Sequence, residues 1–552
     1  MKKISLLLFV LFVQTLFSQT KITETEKLAT TCKVWGFLKY YHPKVASGAF
    51  NWDNQLLEIL PKINKAQTKE AFSLVLENWI DNLGEVKTIA PILVPKEVKY
   101  FDKNFDLSWL KSKLFSKKLS KKLKFIEENR FQGVPFYIEG QEHVGNVSLK
   151  NESYANPDFN NRNSKLRMLF MYWNLIEYFF PYKYKMDQKW STTLEKIVPL
   201  VVTSENEDDF FIAMKKMASK IDDSHTEFFV YPSLSGRRIK RYFPADAKII
   251  DNSIVVTEIL GDSLAEADAI KIGDVITKIN DKSIKDIILE NRDFICASNE
   301  PAYLDKLVKK ILVSDSDTVK VEFLKDSEYV TKTMTWFNYH DSHRNEFKKG
   351  ARKKKEKFKV LENNIGYVDM GILKTRNIPD MIEALKATRA IVFDMRNYPN
   401  GTYQEISNFL NAQEKEFAIY TRPDLSYPGR FKWSGGTLSG FENKDHYKGK
   451  VIVLLNEDSM SQSEWTAMCF QTAGNTTIIG SQTAGADGNV SEFDFKGFHT
   501  LFSGIGVYYP DGRETQRIGI VPDIEVKPTI KGIQEGRDEV LDRALLFIES
   551  GK

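Results

Sequence analysis

The chain has 552 residues, of which 42% are hydrophobic, 28% charged and 12% aromatic, a composition that supports several packed cores and excludes wholesale disorder. Its formal net charge of +4 includes Lys2 and Lys3, so the remainder is close to neutral and charge alone selects no nucleic acid, membrane or acidic partner. The three cysteines, Cys32, Cys296 and Cys469, cannot build a disulfide framework, and no CxxC or HExxH spacing occurs, so neither metal nor other cofactor is expected.

The first residues, "MKKISLLLFVLFVQTLFSQT", place two lysines before an apolar run that ends in small polar residues. This is the layout of a signal peptide over residues 1–19, cut near Ser18 or Gln19, and it predicts export to a periplasm or beyond the cell. The alternative is an uncleaved anchor, but the run is short of the ~20 residues that span a bilayer. No later segment is apolar enough to cross, so no stable membrane span is expected after cleavage.

"VWGFLKYYHPK" from Val34 and "YWNLIEYFFPYK" from Tyr172 are related by an offset of 138 positions, which also carries Trp52 onto Trp190 and Pro61 onto Pro199. Such an internal repeat, with apolar residues at helical spacing, predicts two related helical domains, residues 20–150 and 160–232. The copies differ at their ends. The second carries Ser224-His225 where the first has Val86-Lys87.

Residues 237–337 switch to short β-like runs punctuated by Gly, Asp and Asn. The stretch "VVTEILGDSLAEADAIKIGDVITKINDKSI" resembles a PDZ domain, a fold that binds extended peptide by adding it to a sheet edge. The basic run "KKGARKKKEKFK" falls in a segment, 338–359, that reads as a solvated linker, since it lacks interleaved aromatics. Residues 360–552 then alternate strands and helices, which predicts an α/β domain with a largely parallel sheet and ligands at the carboxyl ends of its strands.

One such end carries "NEDSMSQSEW", with Ser459, Ser461 and Ser463 between a strand and a helix. A serine attacks a carbonyl only if a base takes its proton and donors stabilise the oxyanion. Ser461 stands at the helix N-terminus, where the N–H of Gln462 faces a developing negative charge. Ser461-x-x-Glu464 is also a capping box, and that role alone accounts for both residues.

The segment "MSQSEWTAMCFQTAGNTTIIGSQTAGADGN" resembles the nucleophile region of the C-terminal processing, or tail-specific, peptidases of family S41, relatives of the tricorn core protease. "VFDMRNYPNG" and "PDGRETQRIGIVPDIEV" are similar to two further motifs of that family. The resemblance implies a multidomain α+β chain ending in a ClpP/crotonase-like peptidase domain. It also implies a serine-type hydrolase with Ser461 as nucleophile. The processing branch takes a lysine as base from the loop that here reads "TAGADG", and Ala486 stands at its position. The tricorn-like branch uses a Ser-His pair instead, matched by Ser224-His225, and imidazole suits a base near neutral pH. A second pair, Ser342-His343, follows no amphipathic helix.

By the same resemblance Glu514 supports the site, although alignment from the Gly519 side lands on Gln516. Gly401 in "YPNG" joins Gln462 as an oxyanion donor through its N–H, and Ser224 orients the imidazole. The expected activity is peptide-bond hydrolysis by an exported enzyme, the PDZ contacting the peptide or protein substrate and no nucleic acid taking part. An inactive peptide-binding protein on this scaffold and an esterase-type acyl hydrolase are the alternatives.

Overall fold

The computed structural model describes residues 21–141, 144–152, 158–231, 240–260, 262–338 and 356–551. The leader, Ser342-His343 and most of the basic linker lie outside the described residues. The chain divides into two compact units. One comprises Met1–Met217, Arg422–Trp433 and Ser491–Phe498, and the other Ala218–Thr421, Ser434–Val490 and His499–Lys552.

In the first unit the repeat is visible atom by atom. The helix Glu24–Tyr41 is capped by Thr23 and Glu26, and Asn51 caps Trp52–Lys65. The second copy supplies Arg162–Phe179 and Trp190–Thr203. Trp35 and Trp52 each donate their indole N–H to the other's carbonyl, at 3.2 and 3.1 Å, and Trp173 and Trp190 do the same at 3.1 and 3.0 Å. Lys27 reaches the Ala66 carbonyl, and its repeat equivalent Lys165 reaches that of Ser204.

The helices of both copies lie in one compact unit, while the end of the second copy from Ala218, with His225, belongs to the other. Fourteen of the eighteen residues are buried in each of Glu24–Tyr41 and Arg162–Phe179, so neither helix has a free polar face, and a helix covered all round must sit inside a larger core. The copies cover each other. Asn174 donates to the Cys32 carbonyl at 3.0 Å, and Gly36 is pressed against the Asn174 side chain.

The second unit holds the PDZ domain and the α/β domain. The PDZ sheet runs Glu328–Met334, Val319–Lys325, Val275–Ile279, Ser253–Ile259, Ala245–Ile250, with antiparallel neighbours. The helices Ile284–Glu290 and Glu300–Ile311 accompany it, and Ile254, Val256, Leu307, Val321 and Phe323 are in its core.

The α/β sheet begins with Phe358–Leu361, antiparallel to Ile365–Asp369, and continues in parallel through Ala390–Asp394, Lys450–Leu455, Thr476–Gly480 and Ile524–Glu525. Every residue of Ala390–Asp394 is buried, as a strand covered on both faces requires. The loops that matter leave the carboxyl ends of three neighbouring strands: 395–402, 456–461 and 481–486.

Candidate active site

The three serines of 456–465 do different work. Ser459 and Ser463 are fully buried, and their hydroxyls donate to the carbonyls of Met395 at 2.8 Å and Asn397 at 2.7 Å. They tie the turn carrying Ser461 to the loop carrying Gly401. Ser461 is half-buried and is held through its backbone, its N–H donating to the Ala486 carbonyl at 2.9 Å and to Glu464 Oε2 at 3.1 Å. Its φ of +54° and ψ of −111° lie where a residue with a Cβ is strained. Such strain is kept only where the surroundings impose it, and Ser461 is the N-cap of the helix Gln462–Gln471. The Gln462 N–H is one of the helix's first four, which have no intrahelical acceptor.

Glu464 explains how the turn is fixed. It is fully buried and accepts from Thr483 Oγ1, from the Gly485 N–H at 2.8 Å and from the Ala486 N–H at 3.1 Å, besides Ser461. Burial pushes its carboxyl up to about 7 against the pull of these donors. The capping residue expected from sequence is therefore also the clasp of the 483–486 loop. Gly485 in that loop has φ of +67°, and a Cβ there would meet the Arg517 backbone.

The same loop holds the histidine segment. Ser224 Oγ donates to the Ala484 carbonyl at 2.9 Å and accepts from the Ser298 N–H at 2.8 Å. Ser461 and Ser224-His225 thus grip one three-residue stretch, 484–486. His225 is buried, and burial first, with Lys306 adding to it, lowers its pKa while Asp223 raises it. Lys306, on the PDZ helix Glu300–Ile311, donates to the Ser224 carbonyl at 2.6 Å.

One expectation about the imidazole's surroundings is corrected. Ser224 does not orient it, because its hydroxyl is already committed to Ala484 and Ser298. The Nδ1 partner is Ser503 Oγ, at 2.9 Å. Glu514 forms a β-bridge with Tyr508 through its backbone, and Gln516, the other position the sequence offered, is fully buried and donates to Asp223 Oδ1 at 3.2 Å. The residues that sequence reading missed are Asp223 and Ser503. Asp223 had a local signal, an acid two positions before the histidine, while Ser503 lies at the end of a strand 278 positions away and had none.

Gly401 has φ of +67° and open space where a Cβ would be. Its loop is pinned by Ser463 and by Asn400, which donates to the carbonyls of Gly371 and Leu373. Ala486 is buried, with both backbone polar groups engaged, and supplies no base. A cavity of about 1090 Å³ within this unit is lined by Lys248 and Lys309 of the PDZ and by Asn397, Asn456 and Asp458 of the α/β domain. It reaches the 456–461 loop at Asn456 and Asp458, and neither Ser461 nor His225 is among its lining residues. No group of metal-ligating side chains occurs among the described residues.

The class that the fold defines is an α/β domain preceded by a PDZ, with a strained serine on a strand-to-helix turn, a glycine-bearing loop and a buried histidine. Comparison with known proteins narrows this. Residues 364–526 match peptidase family S41 and residues 233–299 match the PDZ domain, so the chain carries a peptidase family S41 domain behind a PDZ.

Among curated proteins, it is 25% identical over 284 residues to a "Probable CtpA-like serine protease" of Staphylococcus haemolyticus (strain JCSC1435). It is 26% identical over 279 residues to one of the same name from Staphylococcus aureus (strain COL). Each match covers 50% of this chain and 50% of the relative, so the chain spans about half the length of the curated relatives it matches. The structure of mature CPAF aligns over 70% of this chain and 98% of that one, with a TM-score of 0.56 and 12% identity, a likeness of fold.

Proposed function

We propose that the protein is an exported serine peptidase that hydrolyses peptide bonds through an acyl-enzyme on Ser461, with His225 as general base and then acid. The N–H groups of Gln462 and Gly401 receive the oxyanion, and the PDZ domain feeds or gates the peptide. Export rests on the leader sequence alone. The observation that carries the reading is the division of labour among the serines: Ser459 and Ser463 are spent on structure, while Ser461 is held at a strained φ against the loop that also holds Ser224-His225. Strain of this kind is kept at functional sites at a cost of order 1–3 kcal/mol.

The test is labelling of the purified protein with a fluorophosphonate. Ser461→Ala should abolish labelling, and His225→Ala should slow it by several orders of magnitude, as loss of a triad base does. Labelling that persists in Ser461→Ala would remove the assignment. Release of new amino termini from a denatured polypeptide, absent in Ser461→Ala, separates a peptidase from an esterase.

A further inference from the structure

Asp223 is fully buried, and its carboxylate is surrounded by neutral donors. Oδ1 accepts from Ser503 Oγ at 3.0 Å, from Gln516 Nε2 at 3.2 Å and from the His225 backbone N–H at 3.2 Å. Oδ2 accepts from the Ser503 N–H at 2.8 Å and from Thr226 Oγ1 at 3.2 Å. Among the described residues no cation pairs with it. A buried carboxylate left with neutral partners is costly unless a charge arrives to meet it. The group beside it that can become cationic is the His225 imidazole, joined through Ser503.

We propose that Asp223, acting through Ser503, fixes the tautomer of His225 and stabilises the imidazolium formed when Ser461 is deprotonated. Both are positioning residues, and the proposal rests on the peptidase reading above. The Ser503 hydroxyl has one proton. The ionised carboxylate can only accept, so that proton points to Asp223 Oδ1, and Ser503 Oγ is left to accept from His225 Nδ1–H. The neutral imidazole carries one proton, so Nε2 keeps its lone pair, the state a base needs. When Nε2 takes the Ser461 proton, Nδ1 keeps its own, the positive charge is spread over the ring, and the dipole of the Ser503 hydroxyl links it to the carboxylate. No proton leaves the relay.

Gln516 fits the same design. A glutamate there would face Asp223 with a second carboxylate. The amide instead donates to it.

The experiment uses the full chain with 15N-labelled histidine and follows the ring of His225, assigned by its loss in His225→Gln. The wild type should carry its proton on Nδ1. In Asp223→Asn the carboxamide can donate to Ser503 Oγ, which turns the hydroxyl proton toward Nδ1 and moves the ring proton to Nε2. The fluorophosphonate labelling rate constant should fall by ~10²–10⁴-fold, the range set by loss of the orienting carboxylate in a serine triad. The acid limb of its pH profile should move to lower pH, because Asp223 raises the His225 pKa.

The other charges near the ring are Lys306, which acts in the opposite sense, and Glu227, which meets Lys306 at 3.5 Å. A wild-type proton on Nε2, or an Asp223→Asn protein with unchanged tautomer and limb, would overturn the relay. The wild-type measurement needs no variant to fold. It also reads the resting protein, so it stands apart from any failure of the peptidase reading, which would show as an unlabelled wild type.

Discussion

Glu464 shows how much one residue can carry. Four donors converge on its carboxylate, two from the loop backbone, one from the Thr483 hydroxyl and one from Ser461 itself. Glu464→Gln replaces the protonated acid's O–H, which keeps an acceptor lone pair, by an NH2 that has none, facing other donors, and leaving buried N–H groups unpaired costs about 1–3 kcal/mol each. We expect a loss of roughly 2–5 kcal/mol in urea denaturation near pH 5, with faster proteolysis of the 483–486 loop. The pH dependence has a definite sign. The folded carboxyl titrates at about 7, above its ordinary 4.5. Below pH 4.5 both folded and unfolded states hold the proton, and between 4.5 and 7 the folded state alone does. This group's stabilisation is therefore complete in acid and is lost as pH rises to 7, and a glutamine has none to lose. The deficit of Glu464→Gln should shrink by about 3 kcal/mol between pH 4.5 and 7, at 1.36 kcal/mol per unit. A deficit that grew over this range would mean that the donors, not burial, dominate.

At the level of elements, the PDZ helix Glu300–Ile311 carries charged residues at helical spacing, a pattern that ordinarily faces water. In the fold it is a joint. Lys309 is shared between Asp305 and Asp458, each at 2.7 Å, and Asp458 lies three positions before Ser461. Lys306, on the same face, meets Ser224 and Glu227. One helix therefore touches both the loop that leads to Ser461 and the segment that carries His225. Removing the cation in Lys306→Ala should raise the His225 pKa and move the acid limb of fluorophosphonate labelling to higher pH, opposite to Asp223→Asn. A limb that stays put would disconnect the helix from the imidazole.

The contrast tells what was legible. The strands and the parallel sheet follow from local alternation and turn residues, whereas the PDZ rests on a resemblance, as does the candidacy of Ser461, which local sequence alone reads as a helix cap. The Asp223 to Ser503 contact, 280 positions apart, and the inward use of a charged helix face are set by tertiary packing and leave no local trace.

At the scale of the whole molecule, the repeat makes a test of how independent the helical unit is. Gly36 sits where one copy crosses the other, and a Cβ there would lie 1.8 Å from Asn174 Oδ1. Asn174 is itself buried and donates to the carbonyls of Cys32 and Phe170, so it cannot move aside without orphaning them. Gly36→Ala should therefore cost about 3 kcal/mol through overpacking and lost hydrogen bonds. In a unit of this size that lowers the melting midpoint by about 6–12 °C.

Intrinsic fluorescence reports mainly this unit, because seven of the nine tryptophans fall in it, all but Trp336 and Trp465. The Ser461 site is built wholly from the second unit, with His225, Ser503, Gln516 and the 483–486 loop all within its bounds. Chains of more than one unit need not unfold in a single step. The fluorescence transition of Gly36→Ala should shift downward while fluorophosphonate labelling of Ser461, measured at 25 °C below that transition, keeps the wild-type rate. A variant that melts early and has also lost its labelling at 25 °C would show instead that the helical repeat is part of what holds the nucleophile in place.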